Sequence, residues 1–236
     1  MSDSAPAPAS GTPDAAGPAG ADDAAETDGQ AVVAGGRPRF GAGWLIGAIV
    51  FGIVIGLAAG LLVPRFLRPG DDSAEAGFLR DMSSHHAQAV EMAMIVHARS
   101  DDAQISTLGA DIALTQHAQI GYMQAWLRDW DLAPTGTRPA MAWMPDGQGS
   151  LVDGLMPGMA AAESMTKLRA ATGKELDIQF LELMRQHHLG GIHMAQGLLK
   201  LSDHEDVSWL ATTMVNGQQN ELALIDMHLA RIKAAP

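Results

Sequence analysis

Two stretches of this chain share one wording: FLRDMSSHHAQAVEMA at residues 78–93 and FLELMRQHHLGGIHMA at 180–195, offset by 102 positions. In the first, Phe78, Met82, His85, Ala89, Met92 and Val96 step by 4, 3, 4, 3 and 4 residues; in the second, Phe180, Met184, His187, Gly191, Met194 and Leu198 do the same. Steps of this kind place all six side chains of each series on one helical stripe, the spacing of a buried seam. The same offset aligns Leu108 with Leu210, Ile112 with Met214, Gln116 with Gln218, Gln119 with Glu221 and Leu127 with Leu229, so each seam helix has a companion that is also repeated. A hairpin with a single apolar stripe buries little by itself. Two of them are therefore expected to pack face to face as an all-α four-helix bundle with pseudo-twofold symmetry.

Punctuation along the chain fits this plan. Pro64 and Pro69-Gly70 interrupt any helix before Asp72 and Ser73, which offer a cap for a helix over 73–99. A turn at 100–102 leads to a second helix ending near Asp131, and a Pro- and Gly-rich loop covers about 133–158, followed by short helical material over 160–171. Thr172 with Glu175, and Ser202 with Glu205, read as capping boxes for a third helix to about Leu201 and a fourth to about Lys233. The predicted bundle domain spans 71–236, with repeat halves over about 73–131 and 175–233 and a linker over 132–174. No segment alternates like a strand.

The N-terminal part is different in kind. Residues 1–36 hold no Lys or Arg and are rich in Ala, Pro, Gly and Ser with six acidic residues, too little apolar surface to offset the entropy of ordering; a disordered acidic tail is predicted over 1–43. From Trp44 to Val63, WLIGAIVFGIVIGLAAGLLV runs for 20 residues without a charge, the length of a membrane-spanning helix. An uncleaved anchor fits this stretch better than a signal peptide, whose apolar region is shorter. Within it Ala48, Gly52, Gly56 and Gly60 form a smooth stripe on which a second copy of the anchor can pack as a homodimer. Arg37 and Arg39 balance Arg65 and Arg68, so charge does not orient the anchor. A single N-terminal anchor followed by a large domain is most often an export signal, which places the tail in the cytoplasm and the bundle outside. The chain has no cysteine, and its net charge of −12 argues against nucleic acid and anionic membrane surfaces as partners.

The chemistry lies on the seam. His85 and His187 fall at core positions, with Met82 and Met92 or Met184 and Met194 one or two turns away. Imidazole beside thioether is a soft-metal ligand set, and copper, above all Cu(I), is the first-row ion that best accepts Met sulfur; Zn favours carboxylate or thiolate, and Mg or Ca favours oxygen. His86 and His188 sit about 100° round the helix, able to join the site or support it from behind. Glu221, the repeat mate of Gln119, is a further candidate, and His193 stands where the first half has Glu91. Met141, Met144, Met156 and Met159 in and beside the linker form two M-x-x-M pairs, either metal-capturing or simply pinning the loop. His97, His117, His204 and His228 lie outside the repeat.

Two other readings compete. The histidines and glutamines can form a polar core of a non-catalytic, membrane-tethered scaffold or signalling module, with Gln116, Gln119, Gln218 or Glu221 satisfying the imidazoles without any metal. A carboxylate-bridged di-metal redox enzyme in the same architecture would need Glu-x-x-His, and Glu91, Glu182 and Glu221 have no histidine three residues on. No nucleophile elbow or phosphate loop is present, so catalysis is not expected.

The two repeats, together with TQHAQIGYMQAWL and MPGMAAAESMTKLRAATG between them, resemble the family called domain of unknown function 305 over about residues 73–232. The resemblance implies a ferritin-like four-helix bundle, exported or membrane-anchored, with some relatives associated with copper binding or tolerance. Matched to the family pattern, Met82, His85, His86, Met92, Met184, His187, His188 and Met194 become the implied metal ligands, with His193 departing from a more usual acidic residue. The expected role is copper binding for storage, buffering or delivery.

Overall fold

The structure, a computed structural model, describes residues 41–66 and 68–234. Among them the chain is all-helical: α1 (Ala42–Phe66), α2 (Ala74–Arg99), α3 (Ala103–Asp129), a 3-10 turn at Gly147–Ser150, α4 (Ala162–Ala170), α5 (Gly173–Leu198) and α6 (Glu205–Ala234), with no strand. The tail expected over 1–43 lies outside the described residues except for its last three.

Helix α1 includes the segment Ala42–Leu62, which has a mean hydropathy of 2.7, is long and apolar enough to cross a membrane, and has no residue buried in the protein. A Cβ added at Gly52, Gly56 or Gly60 would meet nothing within 4 Å. The helix continues through Pro64, where an earlier break was expected. Proline's fixed φ is helical, and the hydrogen bond it removes falls in the last turn, so the helix ends at Phe66 rather than before it.

In the helical domain α2 packs against α3, α5 against α6, and the two hairpins meet through α2 and α5. Ser73 caps α2 as anticipated, its Oγ accepting from Ala76 N at 3.1 Å, and Asp102 Oδ1 caps α3 by accepting from Gln104 N at 2.9 Å. The two anticipated capping boxes do not form. Thr172 makes no side-chain cap bond, because the left-handed Gly173 (φ +54) begins α5 and turns the backbone away from it. Ser202 Oγ accepts from His204 N instead, at 3.1 Å, inside the turn that precedes α6.

The core divides into two apolar clusters. Phe78, Leu79 and Met82 of α2 pack with Met123 and Leu127 of α3, Met194 and Leu198 of α5, and Leu210 and Met214 of α6. Met92 and Val96 of α2 pack with Ile105 and Ile112 of α3, Phe180 and Met184 of α5, and Ile225 and Leu229 of α6. The early half of α2 thus faces the late half of α5, so the two seam helices run antiparallel. Met141 and Met156 are buried in the first cluster, where they pin the linker to the helices.

That linker is strapped along α2. Asp81 accepts from Met141 N at 2.7 Å and from Trp143 Nε1 at 2.8 Å. Two turns later the Gln88 amide pairs with the backbone of Ala160 in both directions, at 2.9 and 2.7 Å. Trp143 also meets Phe78 edge to face, with ring centres 5.6 Å apart. Asp81→Ala strands two donors and is expected to lower stability by about 1–3 kcal/mol; urea unfolding followed by circular dichroism measures it, with a loss of tryptophan fluorescence change on unfolding as the local signature.

Candidate metal centre

Between the two apolar clusters lies a polar layer, to which each of α2, α3, α5 and α6 contributes two residues in repeat-related positions. His85 and His86 on α2 answer His187 and His188 on α5, all four at most 1 % exposed. Gln116 and Gln119 on α3 answer Gln218 and Glu221 on α6.

Each imidazole is held by one nitrogen. His85 Nε2–H donates to Pro157 O at 3.0 Å, and His187 Nε2–H donates to His85 O at 2.9 Å. His86 Nε2–H donates to Gln119 Oε1 at 2.7 Å, and His188 Nε2 donates to Glu221 Oε2 at 2.5 Å. Carbonyl oxygens only accept, so Nε2 carries the proton in His85 and His187, and the Gln119 and Glu221 oxygens fix the same tautomer in their partners. The Nδ1 atoms of all four rings are buried and have no hydrogen-bond partner. The amide atoms of Gln116 and Gln218 are likewise buried and unpartnered.

Burial pushes His85 down to about 4, against the bond to Pro157. It pushes His86 down to about 3, with His85 adding to the effect, and it holds His187 well below the usual histidine range, helped by the other three rings. These three are neutral at pH 7, and a neutral imidazole is the form that ligates metals. Nothing polar competes for Nδ1, and buried unpartnered nitrogens are rare enough to call for an explanation. The donor set suits a soft ion in chemistry. In arrangement, His85 and His187 stack, with ring centres 3.7 Å apart and planes at 34°, and among the described residues no three His, Asp or Glu side chains are gathered as a ready-made cage.

The other sequence candidates are placed as follows. Met82 and Met194 flank the layer on one side, Met92 and Met184 on the other, all four buried. Glu221 holds His188 from behind. His193 stands apart, exposed on the outer face of α5 in a groove it shares with Met144 and Gln196. Three participants were missed in the sequence. Pro157 contributes a backbone carbonyl, and its approach depends on two glycines: Gly158 at φ +78, and Gly190, where a Cβ would come within 1.9 Å of Pro157 O. The signals were present as the MPGM turn and the GG pair that follows the second HH.

The family profile "Domain of unknown function (DUF305)" matches residues 75–229. The chain belongs to the DUF305 family. A crystal structure of a DUF305 protein from Streptomyces coelicolor is 43 % identical, with a TM-score of 0.64 over 70 % of this chain and 97 % of that one. A DUF305 fragment from Deinococcus radiodurans is 28 % identical, with a TM-score of 0.57 over 67 % of this chain and 96 % of its own. CopM in a Cu(II)-bound form is 22 % identical, with a TM-score of 0.52 over 67 % of this chain and 97 % of that chain, a likeness of fold. CopM is also known in a Cu(I)-bound form with a TM-score of 0.51. No curated protein matches the chain.

Proposed function

We propose that this DUF305 protein is a membrane-anchored, extracytoplasmic copper-binding protein, favouring Cu(I), that serves storage, buffering or delivery rather than catalysis. Its domain, residues 71–236, is read as a ferritin-like four-helix bundle carried by the anchor α1, whose Gly52, Gly56 and Gly60 stripe is open to a second copy. The observation that carries the reading is the set of four buried Nδ1 atoms without a partner, in a layer flanked by four buried methionines. His85, His86, His187 and His188 would hold the ion, with Met82, Met92, Met184 and Met194 as thioether donors; the ion supplies the partner that the Nδ1 atoms lack. Because His85 and His187 stack rather than converge, loading involves a turn of these rings. The relation in fold to CopM, which is known with Cu(I) and Cu(II), supports a metal as cargo.

The detergent-solubilised full chain is expected to take up Cu(I) at a defined stoichiometry in competition with a chromophoric chelator. The variant H85A/H86A/H187A/H188A should lose that uptake. Retained uptake would move the site to His193 and the linker methionines. The ring stacking favours a second reading, a polar layer that only sets packing; it predicts no uptake by the wild type and a large stability loss in the variant.

A further inference from the structure

Two of the layer's bonds, His86 to Gln119 and His188 to Glu221, are repeat-related in position and differ in charge. At the positions that hold His86 and His188 from behind, the repeat mates are a neutral amide, Gln119, and a carboxylate, Glu221. An ion buried in an apolar core needs a compensating charge nearby, or its desolvation opposes binding. His85, His86 and His187 are neutral. The nearby surface acids are engaged elsewhere: Glu91 with Arg169, Glu182 with Lys233 and Asp226 with Arg185. Among the described residues, Glu221 is thus the acid bonded into the layer. Its carboxylate also accepts from His188 Nε2, which raises the electron density at Nδ1 across the ring, as a carboxylate does for a metal-bound histidine.

We propose that Glu221 is the charge-matching residue of this layer: it supplies one negative charge through the His188 imidazole, which tunes the site to a single monovalent soft cation and makes His188 Nδ1 the leading ligand. This rests on the metal-binding reading above. A monovalent ion leaves the loaded layer neutral, whereas a divalent ion leaves a buried positive charge. Glu221 acts through His188, as a positioning residue, and does not itself need to touch the ion.

Ag(I), which does not change oxidation state, serves as the monovalent probe and Zn(II) as the divalent one, each titrated into the detergent-solubilised full chain. E221Q keeps the shape of the hydrogen bond and should weaken Ag(I) binding roughly 10- to 100-fold. Q119E, with two carboxylates, should raise Zn(II) affinity relative to Ag(I). The swap Q119E/E221Q should restore wild-type Ag(I) affinity while the metal-induced ¹⁵N shift of Nδ1 moves from His188 to His86, a transfer that loss of packing would not produce. Wild-type Ag(I) affinity in E221Q, or a swap in which His188 still leads, overturns the inference. A wild type that takes up no Ag(I) removes the metal-binding reading and this inference with it, an outcome distinct from the other two.

Discussion

Gly190→Ala should destabilise the domain by roughly 3 kcal/mol, the upper part of the range for overpacking a close contact. The added Cβ would lie 1.9 Å from Pro157 O, 2.3 Å from Pro157 C and 2.8 Å from Gly158 N. All three are backbone atoms, so no side-chain rotation relieves the clash. Gly158 cannot retreat, since its own Cβ position is already 2.3 Å from Gln186 O and its φ of +78 admits little else. Either α5 shifts or the 156–159 segment lifts off, and the second course takes the Pro157 carbonyl away from His85. Urea unfolding measures the loss, and faster proteolysis within residues 134–160 reports the lifted strap. Gly217→Ala is the contrast: it lies in α6 with nothing within 4 Å of the new Cβ, so it should be neutral or stabilising by up to about 1 kcal/mol through helix propensity. Equal losses in both variants would show that Gly190 has no special contact.

Acid should unfold the metal-free domain through its buried histidines. Their folded values, about 4 for His85 and about 3 for His86, lie below the ordinary 6.5, and His187 is depressed in the same direction. Where the folded values are depressed, the unfolded chain binds more protons, so stability rises with pH. The contribution is complete above 6.5 and is lost as pH falls from 6.5 toward 4 and 3. Each group changes stability by on the order of 1 kcal/mol per pH unit in that window, a few kcal/mol in all by pH 5. Urea midpoints measured between pH 8 and pH 4 should stay level above 6.5 and fall below it. Replacing His85 and His187 with Leu should flatten the acid limb; a limb of unchanged slope would assign the acid sensitivity to other groups.

The helical stripes were legible because a buried seam imposes a period, and the sixfold series on α2 and α5 carried both that period and its duplication. The same series also puts His85 and His187 inside the protein. Periodicity does not report what a side chain meets across a gap in sequence. It therefore could not tell which ring nitrogen would be occupied, that the His85 partner would be the carbonyl of Pro157, or that the methionines would part to either side of the histidines. His193 shared the repeat's register with Glu91 but sits outside the stripe, a position that faces solvent on both helices. The Thr172 capping box failed because a two-residue pattern ignores the next residue: Gly173 takes a left-handed conformation that disengages the cap. Asp81 drew no expectation from the sequence, although an Asp one residue before a seam Met, in a chain whose loop offers an indole N–H, was a usable hint.

The division of the core by its central histidines also fixes how the two long helices can be aligned. Sliding α2 along α5 by one turn would carry the His85 N–H away from the Pro157 oxygen and move its unsatisfied polar ring from His187 toward Met184 or Gly191. A purely apolar interface would tolerate such slippage at little cost; this one admits a single setting, so the duplicated halves lock like a keyed joint rather than a smooth hinge.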